Sequence, residues 1–230
     1  MLAAAFIAIA FAPKPAILVF SKTAGYRHES IPDGIAAIQK LGKQNNFAVE
    51  ATEDSSQINQ SNLKNYRAVV FLSTTGDILD LTQQTDFRSY VESGGGFVGI
   101  HAAADTEYDW PWYGRLVGAW FKSHPAIQPA AVKILDAGHP STAHLPKTWA
   151  RTDEWYDYRA LPETQILAKL DPASYQGHTM GDDHPIVWCH MVGKGRSWYT
   201  GMGHTKESYA DPMFQKHLLG GILWATGIKE

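Results

Sequence analysis

Four histidines end or follow segments that have the pattern of buried strands: they are His28, His101, His190 and His204. In open α/β sheets, ligands bind beyond the carboxyl ends of the strands, so polar residues at these ends are the first candidates for a site. An imidazole there can bind a divalent metal or act as a general base. We expect His101 and His204 at the centre of such a site, with His28 as their partner.

Two acidic positions accompany these histidines. Asp105 lies four residues after His101, and Glu154 directly follows Asp153. Converging imidazoles and carboxylates can hold a divalent ion or divide general acid and base work between them. We therefore predict catalytic roles for Asp105 and Glu154 beside the three histidines. A second set is predicted to hold the metal, zinc or manganese: His28, His101 and His190.

The alternative is that many of these residues form ordinary hydrogen bonds. The chain has 10 histidines, and four are expected to be structural or exposed: His139, His144, His178 and His217. His190 has an alternative of its own, because strand alternation places it on one face with Trp188 and Ile186, where it would be a core histidine. The single cysteine, Cys189, lies within the same predicted strand, without the sharp turn that exposes a reactive thiol, so a thiol nucleophile is rejected.

Aromatic residues are concentrated beside the same polar loops: Tyr108, Trp110, Trp112, Tyr113, Trp120, Trp155 and Tyr156. Isolated aromatic residues belong mostly to cores. Several next to polar groups suit a sugar ring, whose C–H faces are apolar and whose hydroxyls need donors and acceptors. The pattern favours a small-molecule saccharide as the binding partner.

These residues are positioned by alternating strands and helices. Continuous apolar runs at Ala16–Phe20 and Ala68–Leu72 predict strands that are buried on both faces, and Ile35, Ile38 and Leu41 recur at helical spacing. Further strands are predicted at 47–52, 97–100, 132–135, 164–170, 185–191 and 196–200, and further helices around 87–91, after 113 and over 214–225. The βαβ order predicts an α/β fold around a parallel sheet.

The bulk composition limits the partners. The chain has 230 residues, of which 44% are hydrophobic and 19% charged, which suits one globular domain over residues 13–230. A formal net charge of -3 provides no basic field for nucleic acid or anionic lipid, so neither a nucleic acid nor a membrane is expected as partner. No nucleotide cofactor is expected.

Residues 1–12 form an apolar run that ends in Ala10-Phe11-Ala12, the small-x-small pattern of a secretory cleavage site. We expect the remnant of a signal peptide and a periplasmic or secreted protein. The run lacks a positively charged start, so the alternative is a tail before the first strand of a cytoplasmic protein. It is too short to span a bilayer.

Six segments in order show that the chain resembles the ThuA-like (trehalose utilisation) family over nearly its whole length. They are GYRHESIP at 25–32, GGGFVGIHAAADTEYDWPWY at 94–113, FKSHP at 121–125, DEWYDY at 153–158, DHPIVWCH at 183–190 and WYTGMGHTKESY at 198–209.

This family is similar in fold to class I glutamine amidotransferases, so the resemblance implies a flavodoxin-like three-layer sandwich with a mostly parallel central sheet. In that superfamily a Gly-x-Cys-x-Gly elbow carries the thiolate. Here the elbow is Gly99-Ile100-His101-Ala102-Ala103, and His204 stands where the base would be. Because imidazole does not replace a thiolate in amide cleavage, glutaminase activity is not expected. The elbow implies that His101 projects into the pocket.

The resemblance also implies a role in carbohydrate catabolism, as a hydrolase, lyase or isomerase of a glycoside or its 3-keto derivative. The candidate substrate-binding residues are Tyr26, Trp110, Trp112, His124 and Tyr156. The alternative is a non-catalytic carbohydrate-binding module on the same fold, which needs the aromatic residues but not the histidines. An exposed terminal helix could cover a partner subunit in a homo-oligomer.

Overall fold

A nine-stranded sheet forms the centre of the computed structural model, which describes residues 14–228. The strands are β1 (Ala16–Phe20), β2 (Ala48–Thr52), β3 (Ala68–Leu72), β4 (Gly96–Ile100), β5 (Phe121–Ser123), β6 (Gln128–Ile134), β7 (Thr148–Asp153), β8 (Asp157–Tyr158), β9 (Gln165–Leu170), β10 (Pro185–Val192) and β11 (Gly195–Thr200). β5 and β8 pair separately as a small second sheet. The predicted signal remnant, residues 1–12, lies outside the described residues.

The strand order is β2-β1-β3-β4-β11-β10-β9-β6-β7. The strands from β2 to β11 are parallel, and the pairings from β11 to β7 are antiparallel. The predicted α/β class with a mostly parallel central sheet is confirmed, and an antiparallel extension is added on one side. Every residue of β3 and β4 is buried, as their continuous apolar character predicts for strands covered on both faces.

Helices cover the two faces of the sheet. They are α1 (Ile31–Gln44), α2 (Gln60–Leu63), α3 (Leu81–Glu92), α4 (Pro111–Val117), α5 (Lys206–Ala210) and α6 (Pro212–Thr226). The Ser197 hydroxyl in β11 donates to the Leu116 carbonyl in α4, whereas the ring of its neighbour Trp198 lies against Gly221 in α6. Because successive strand residues point to opposite faces, α4 and α6 lie on opposite sides of β11.

The terminal helix differs from the expectation of an exposed element. In α6 the apolar positions Phe214, Leu218 and Ile222 are fully buried, and so is His217. Gly220 and Gly221 allow the helix to approach its neighbours so closely that an added Cβ at either position would collide with them. Within residues 14–228, no helix combines the length and the apolar character that crossing a membrane requires.

Strand β7 was not predicted from the sequence. Its residues TWARTD mix apolar and charged side chains, as an edge strand does, and have no continuous apolar run. β6 begins at Gln128 rather than 132, and α4 begins within the aromatic segment rather than after it. The missed strand matters for function because it ends at Asp153, directly before Glu154.

Candidate functional site

His101 stands at the bend that the elbow predicts. It follows β4 with a positive φ of 51° and begins a 3₁₀ turn that runs over His101–Asp105. The side chain is fully buried. The His101 Nδ1 lies 2.9 Å from the Gly201 carbonyl oxygen, which can only accept, so Nδ1 carries the hydrogen. In the neutral ring the lone pair is therefore on Nε2, which faces the site.

Glu154 and His204 approach His101 from the loops after β7 and β11. The His101 Nε2 lies 3.4 Å from Glu154 Oε2 and 3.1 Å from His204 Nδ1. The third side of this triangle, from His204 Nδ1 to Glu154 Oε2, is 3.1 Å. Two imidazole nitrogens and one carboxylate oxygen, from residues at the ends of three strands, thus converge on one point.

His28, from the loop after β1, closes the group. Its ring centroid lies 4.8 Å from that of His101 and 5.0 Å from that of His204, edge to face with both. Its Nδ1 is buried and has no hydrogen-bond partner among the described residues. Burial, together with the positive charge that His101 and His204 can carry, lowers the pKa of His28 to about 2, so its ring stays neutral.

The pKa values of Glu154 and His204 shift because these two residues lie beside groups of opposite charge. Burial alone would raise the pKa of Glu154. When His101 and His204 are protonated, they hydrogen-bond to Glu154 and place positive charge beside it, which lowers its pKa well below the ordinary value. Burial opposes a charge on His204, yet the hydrogen bond and the negative charge of Glu154 raise its pKa. Glu154 is therefore ionised and favours positive charge at the centre of the site.

We refer to His28, His101, Glu154 and His204 as the histidine–glutamate cluster. Each residue offers one ligand atom, and these atoms lie within 4.8 Å of one another. Ligand atoms about 2.1 Å from a tetrahedrally coordinated zinc lie about 3.4 Å apart, close to the three short separations above. His28 offers a neutral ring, Glu154 a carboxylate, and His101 a ring whose other nitrogen donates to a carbonyl. These ligands fit a divalent ion.

Three residues that the sequence predicts for substrate binding contact the cluster. His124 Nδ1 lies 3.2 Å from Glu154 Oε1, whereas His101 and His204 approach the other carboxylate oxygen, Oε2, and the His124 side chain is 41% exposed. Tyr156 lies over His101, with 4.2 Å between ring centroids. Tyr26 packs edge to face on His28 and is 63% exposed. Tyr26 and His124 are thus exposed side chains that contact residues of the cluster.

Asp105 lies near the cluster but outside the set of converging ligand atoms. Tyr108 donates its hydroxyl to Asp105 Oδ1 at 2.6 Å. Burial raises the pKa of Asp105, against the lowering effects of that hydrogen bond and of nearby Arg159 and His101.

Three residues expected in the site lie elsewhere. His190 Nε2 donates to the Arg115 carbonyl of α4 at 2.8 Å, and the residue is partly exposed rather than part of the core, so it does not join the ligand set. Trp112 is buried and donates its ring N–H to Glu92 of α3. Trp110 lines a cleft with α3 residues. The sequence shows that these residues follow strands or lie in aromatic segments, but not which face they occupy.

The aromatic segments form core rather than a broad stacking surface. Trp112, Tyr113, Trp155 and Tyr156 are all buried. The exposed ring beside the cluster is that of Tyr26, which the aromatic pattern did not contain. This arrangement gives the carbohydrate-binding module alternative no support of its own.

The fold and the site define the class of this protein: a flavodoxin-like α/β sandwich that presents histidines and a carboxylate at the strand ends, with an imidazole at the elbow. The chain belongs to the ThuA family, described as trehalose utilisation, which matches residues 16–225. The family predicted from the six segments is confirmed.

Solved structures agree with this assignment. A ThuA-like protein from Bacteroides uniformis is 25% identical, with a TM-score of 0.80, over 96% of this chain and 95% of its own. Another from Parabacteroides merdae is 21% identical, with a TM-score of 0.77, over 94% and 90%. A β-galactosidase from Bacillus circulans sp. alkalophilus shares the fold alone, at 15% identity and a TM-score of 0.62, over 94% of this chain and 31% of its own. The sequence has no match among curated proteins.

Proposed function

We propose that this protein is an enzyme of saccharide catabolism that acts on a glycoside, or on its 3-keto derivative, at the histidine–glutamate cluster. The observation that carries the proposal is the convergence of four ligand atoms from four strand-end loops within 4.8 Å. A cluster that only stabilised the fold would not need a buried His28 nitrogen without a partner, since such a nitrogen costs free energy. The family description, trehalose utilisation, supports a disaccharide or its oxidised form as substrate.

We further propose that a divalent cation, zinc or manganese, is held by His28, His101, His204 and Glu154. Bound there, the ion would polarise a carbonyl or hydroxyl oxygen of the substrate. The protein supports such an ion through the hydrogen bond from His101 to Gly201, which fixes the ring, and through Glu154, whose negative charge offsets the charge of the ion.

The remaining residues have roles toward the sugar. A ketone at C3 acidifies the hydrogen at C2. When a base removes that proton, the electron pair moves into the C1–C2 bond and the substituent at C1 leaves with its bonding electrons and takes up a proton. Asp105 and His124, beside the cluster but outside its ligand atoms, are the groups suited to accept or supply these protons. Tyr26 offers an exposed ring face for a sugar ring.

The test replaces one residue of the cluster. His101→Ala removes the central ligand. The metal bound per mole of protein and the turnover of 3-keto-trehalose should therefore both fall by at least about 100-fold. The far-ultraviolet circular dichroism should be unchanged. His190→Ala is the matched control, because His190 lies in strand β10 and outside the cluster, and it should retain metal and turnover.

Two results would contradict the proposal. Wild-type protein that binds neither zinc nor manganese, measured by elemental analysis after dialysis against each ion, rules out the proposed metal. Unchanged turnover in His101→Ala rules out the proposed active site. A protein that binds saccharides in calorimetry without turning them over would instead be the binding module.

A further inference from the structure

One buried carboxylate outside the cluster connects the two loops that carry half of it. Asp153, the last residue of β7, is fully buried. Its Oδ1 accepts the backbone N–H of His204 at 3.0 Å and that of Glu154 at 3.0 Å. Its Oδ2 accepts the backbone N–H of Gly203 at 2.9 Å and the Ser208 hydroxyl at 2.9 Å.

The negative charge of Asp153 has a buried partner. Arg151 Nη2 lies 3.1 Å from Asp153 Oδ2, and the Arg151 side chain is only 6% exposed. Its guanidinium lies between the rings of Trp149 and Phe214, with 4.5 and 4.6 Å to their centroids. Two cation–π contacts hold the arginine in place, so the carboxylate it pairs with is fixed as well.

The loop after β11 requires such an anchor. Gly203 has a φ of +110°, a conformation that favours glycine, and a Cβ there would lie 2.8 Å from the Tyr209 hydroxyl. His204 directly follows this turn, so its ring position depends on where the turn is held. The two N–H groups that hold it both donate to Asp153.

We infer that Asp153 is a positioning residue that sets the distance between Glu154 and His204, and thereby the ligand geometry of the cluster. This inference rests on the proposed function, because it assigns Asp153 a role toward the proposed ion. The single carboxylate binds the backbone of both ligand residues, so no independent movement of the β7 and β11 loops is possible while these bonds persist. Groups that orient the ligands of a metal commonly change affinity by about 10–100-fold when removed.

The experiment measures metal rather than activity alone. In Asp153→Asn, the side-chain amide can still accept at Oδ1 but cannot accept from Gly203 at the other position. Titration calorimetry with Zn²⁺ should show at least about 10-fold weaker binding than in wild type. The visible absorption of the Co²⁺-loaded protein should also change, because it reports the geometry of the ligands. A merely structural role would lower the melting temperature and leave both readouts unmoved.

Asp157→Asn is the matched control. Asp157 is equally buried, and it accepts the N–H and hydroxyl of Thr179 rather than the loops of the cluster. It should lose stability but retain the Zn²⁺ affinity and the Co²⁺ spectrum of wild type. If Asp153→Asn does not fold because Arg151 keeps only the more distant Asp211, at 3.8 Å, as its charge partner, Arg151→Met with Asp153→Asn removes the buried positive charge and keeps an apolar side chain against the two rings.

The outcomes separate the two proposals. Wild-type affinity and spectrum in a folded Asp153 variant overturn the inference and leave the proposed function standing. A wild-type protein that binds no Zn²⁺, Mn²⁺ or Co²⁺ overturns the inference and the proposed metal, whereas the proposed enzyme is overturned by unchanged turnover in His101→Ala. Weakened binding in Asp153→Asn with normal binding in Asp157→Asn supports the inference.

Discussion

At the scale of single residues, His101 has a backbone conformation that costs stability. Its φ of 51° is in the left-handed region, where a Cβ costs about 1–2 kcal/mol. Such strain persists only where the surroundings impose it, and here the Ile100 carbonyl accepts the Ser73 N–H at 3.1 Å while the His101 carbonyl accepts the Tyr199 hydroxyl at 2.8 Å.

We therefore expect His101→Gly to be more stable than His101→Ala by about 1 kcal/mol, measured by urea unfolding. Glycine has no Cβ to strain, and both variants lose the same imidazole. Ala103→Gly, two residues later in the same buried 3₁₀ turn but without a positive φ, is the control and should lose about 1 kcal/mol relative to wild type. Equal stability of the two His101 variants would show that the bend is unstrained.

Most of the cluster could be predicted from the sequence because three of its histidines end or follow strands. His28, His101 and His204 satisfy that rule, and the edge of a parallel sheet brings such positions together. His190 satisfies it too, but its ring contacts the Arg115 carbonyl and not the cluster, because strand position does not reveal the face. Glu154 was found only through its acidic neighbour, and the role of Asp153 depends on backbone contacts that no residue spacing reveals.

At the scale of elements, α6 is positioned by the absence of side chains. A Cβ on Gly221 would lie 2.5 Å from atoms of the Trp198 ring, and a Cβ on Gly96 of β4 would lie 2.4 Å from the Ala225 carbonyl oxygen. Helix and sheet are thus in direct backbone contact. Trp198 cannot retreat easily, because it is fully buried and its ring N–H donates to the Ser141 hydroxyl.

Gly221→Ala should therefore destabilise the protein by about 2 kcal/mol, although alanine is the better helix former by about 1 kcal/mol. The measurement is urea unfolding, with Ser89→Ala on the exposed face of α3 as control. That control should be neutral or slightly stabilising, since it gains helix propensity without touching the sheet. A stabilised Gly221→Ala would mean that α6 does not pack on Trp198 as described.

Elements with strong apolar runs were predictable, and those defined by pairing were not. β1, β3 and β4 are buried on both faces, and their apolar composition predicts them. β7 exists because β6 lies beside it in register from Gln128 to Lys133, a long-range contact that its mixed residues do not encode locally.

At the scale of the whole molecule, the fold keeps several histidines neutral. His217 of α6 is fully buried, donates from Nδ1 to the Ser141 carbonyl and accepts at Nε2 from the Thr200 hydroxyl. Burial lowers the pKa of His217 to about 3; the bond to Ser141 opposes this, and the charges of Arg151, His144 and His139 reinforce it. Burial likewise lowers the pKa of His139 to about 4.

This neutrality makes stability depend on pH. Between the folded pKa near 3 and the unfolded value of 6.5, the unfolded chain binds a proton at position 217 that the folded chain does not. The contribution of each such neutral ring to stability is therefore fully present above about pH 6.5. It is lost as the pH falls, by about 1 kcal/mol per pH unit for each such histidine. Carboxylates begin to titrate at the lower end of the window from pH 6.5 to 4.5, but wild type and a variant at position 217 share them, so the difference between the two slopes reports the histidine.

His217→Asn keeps a donor near the Ser141 carbonyl and removes the titrating ring. The variant should be less stable than wild type at pH 7, because it loses the bond to Thr200. Its free energy of unfolding should nevertheless fall less steeply between pH 6.5 and 4.5, and the two slopes should differ by about 1 kcal/mol per pH unit. Urea unfolding at five pH values measures both slopes. Ser89→Ala, at an exposed position of α3, changes no titrating group, so it is the control and should retain the wild-type slope. Parallel curves for wild type and His217→Asn would show that position 217 takes up its proton in the folded state as readily as in the unfolded one.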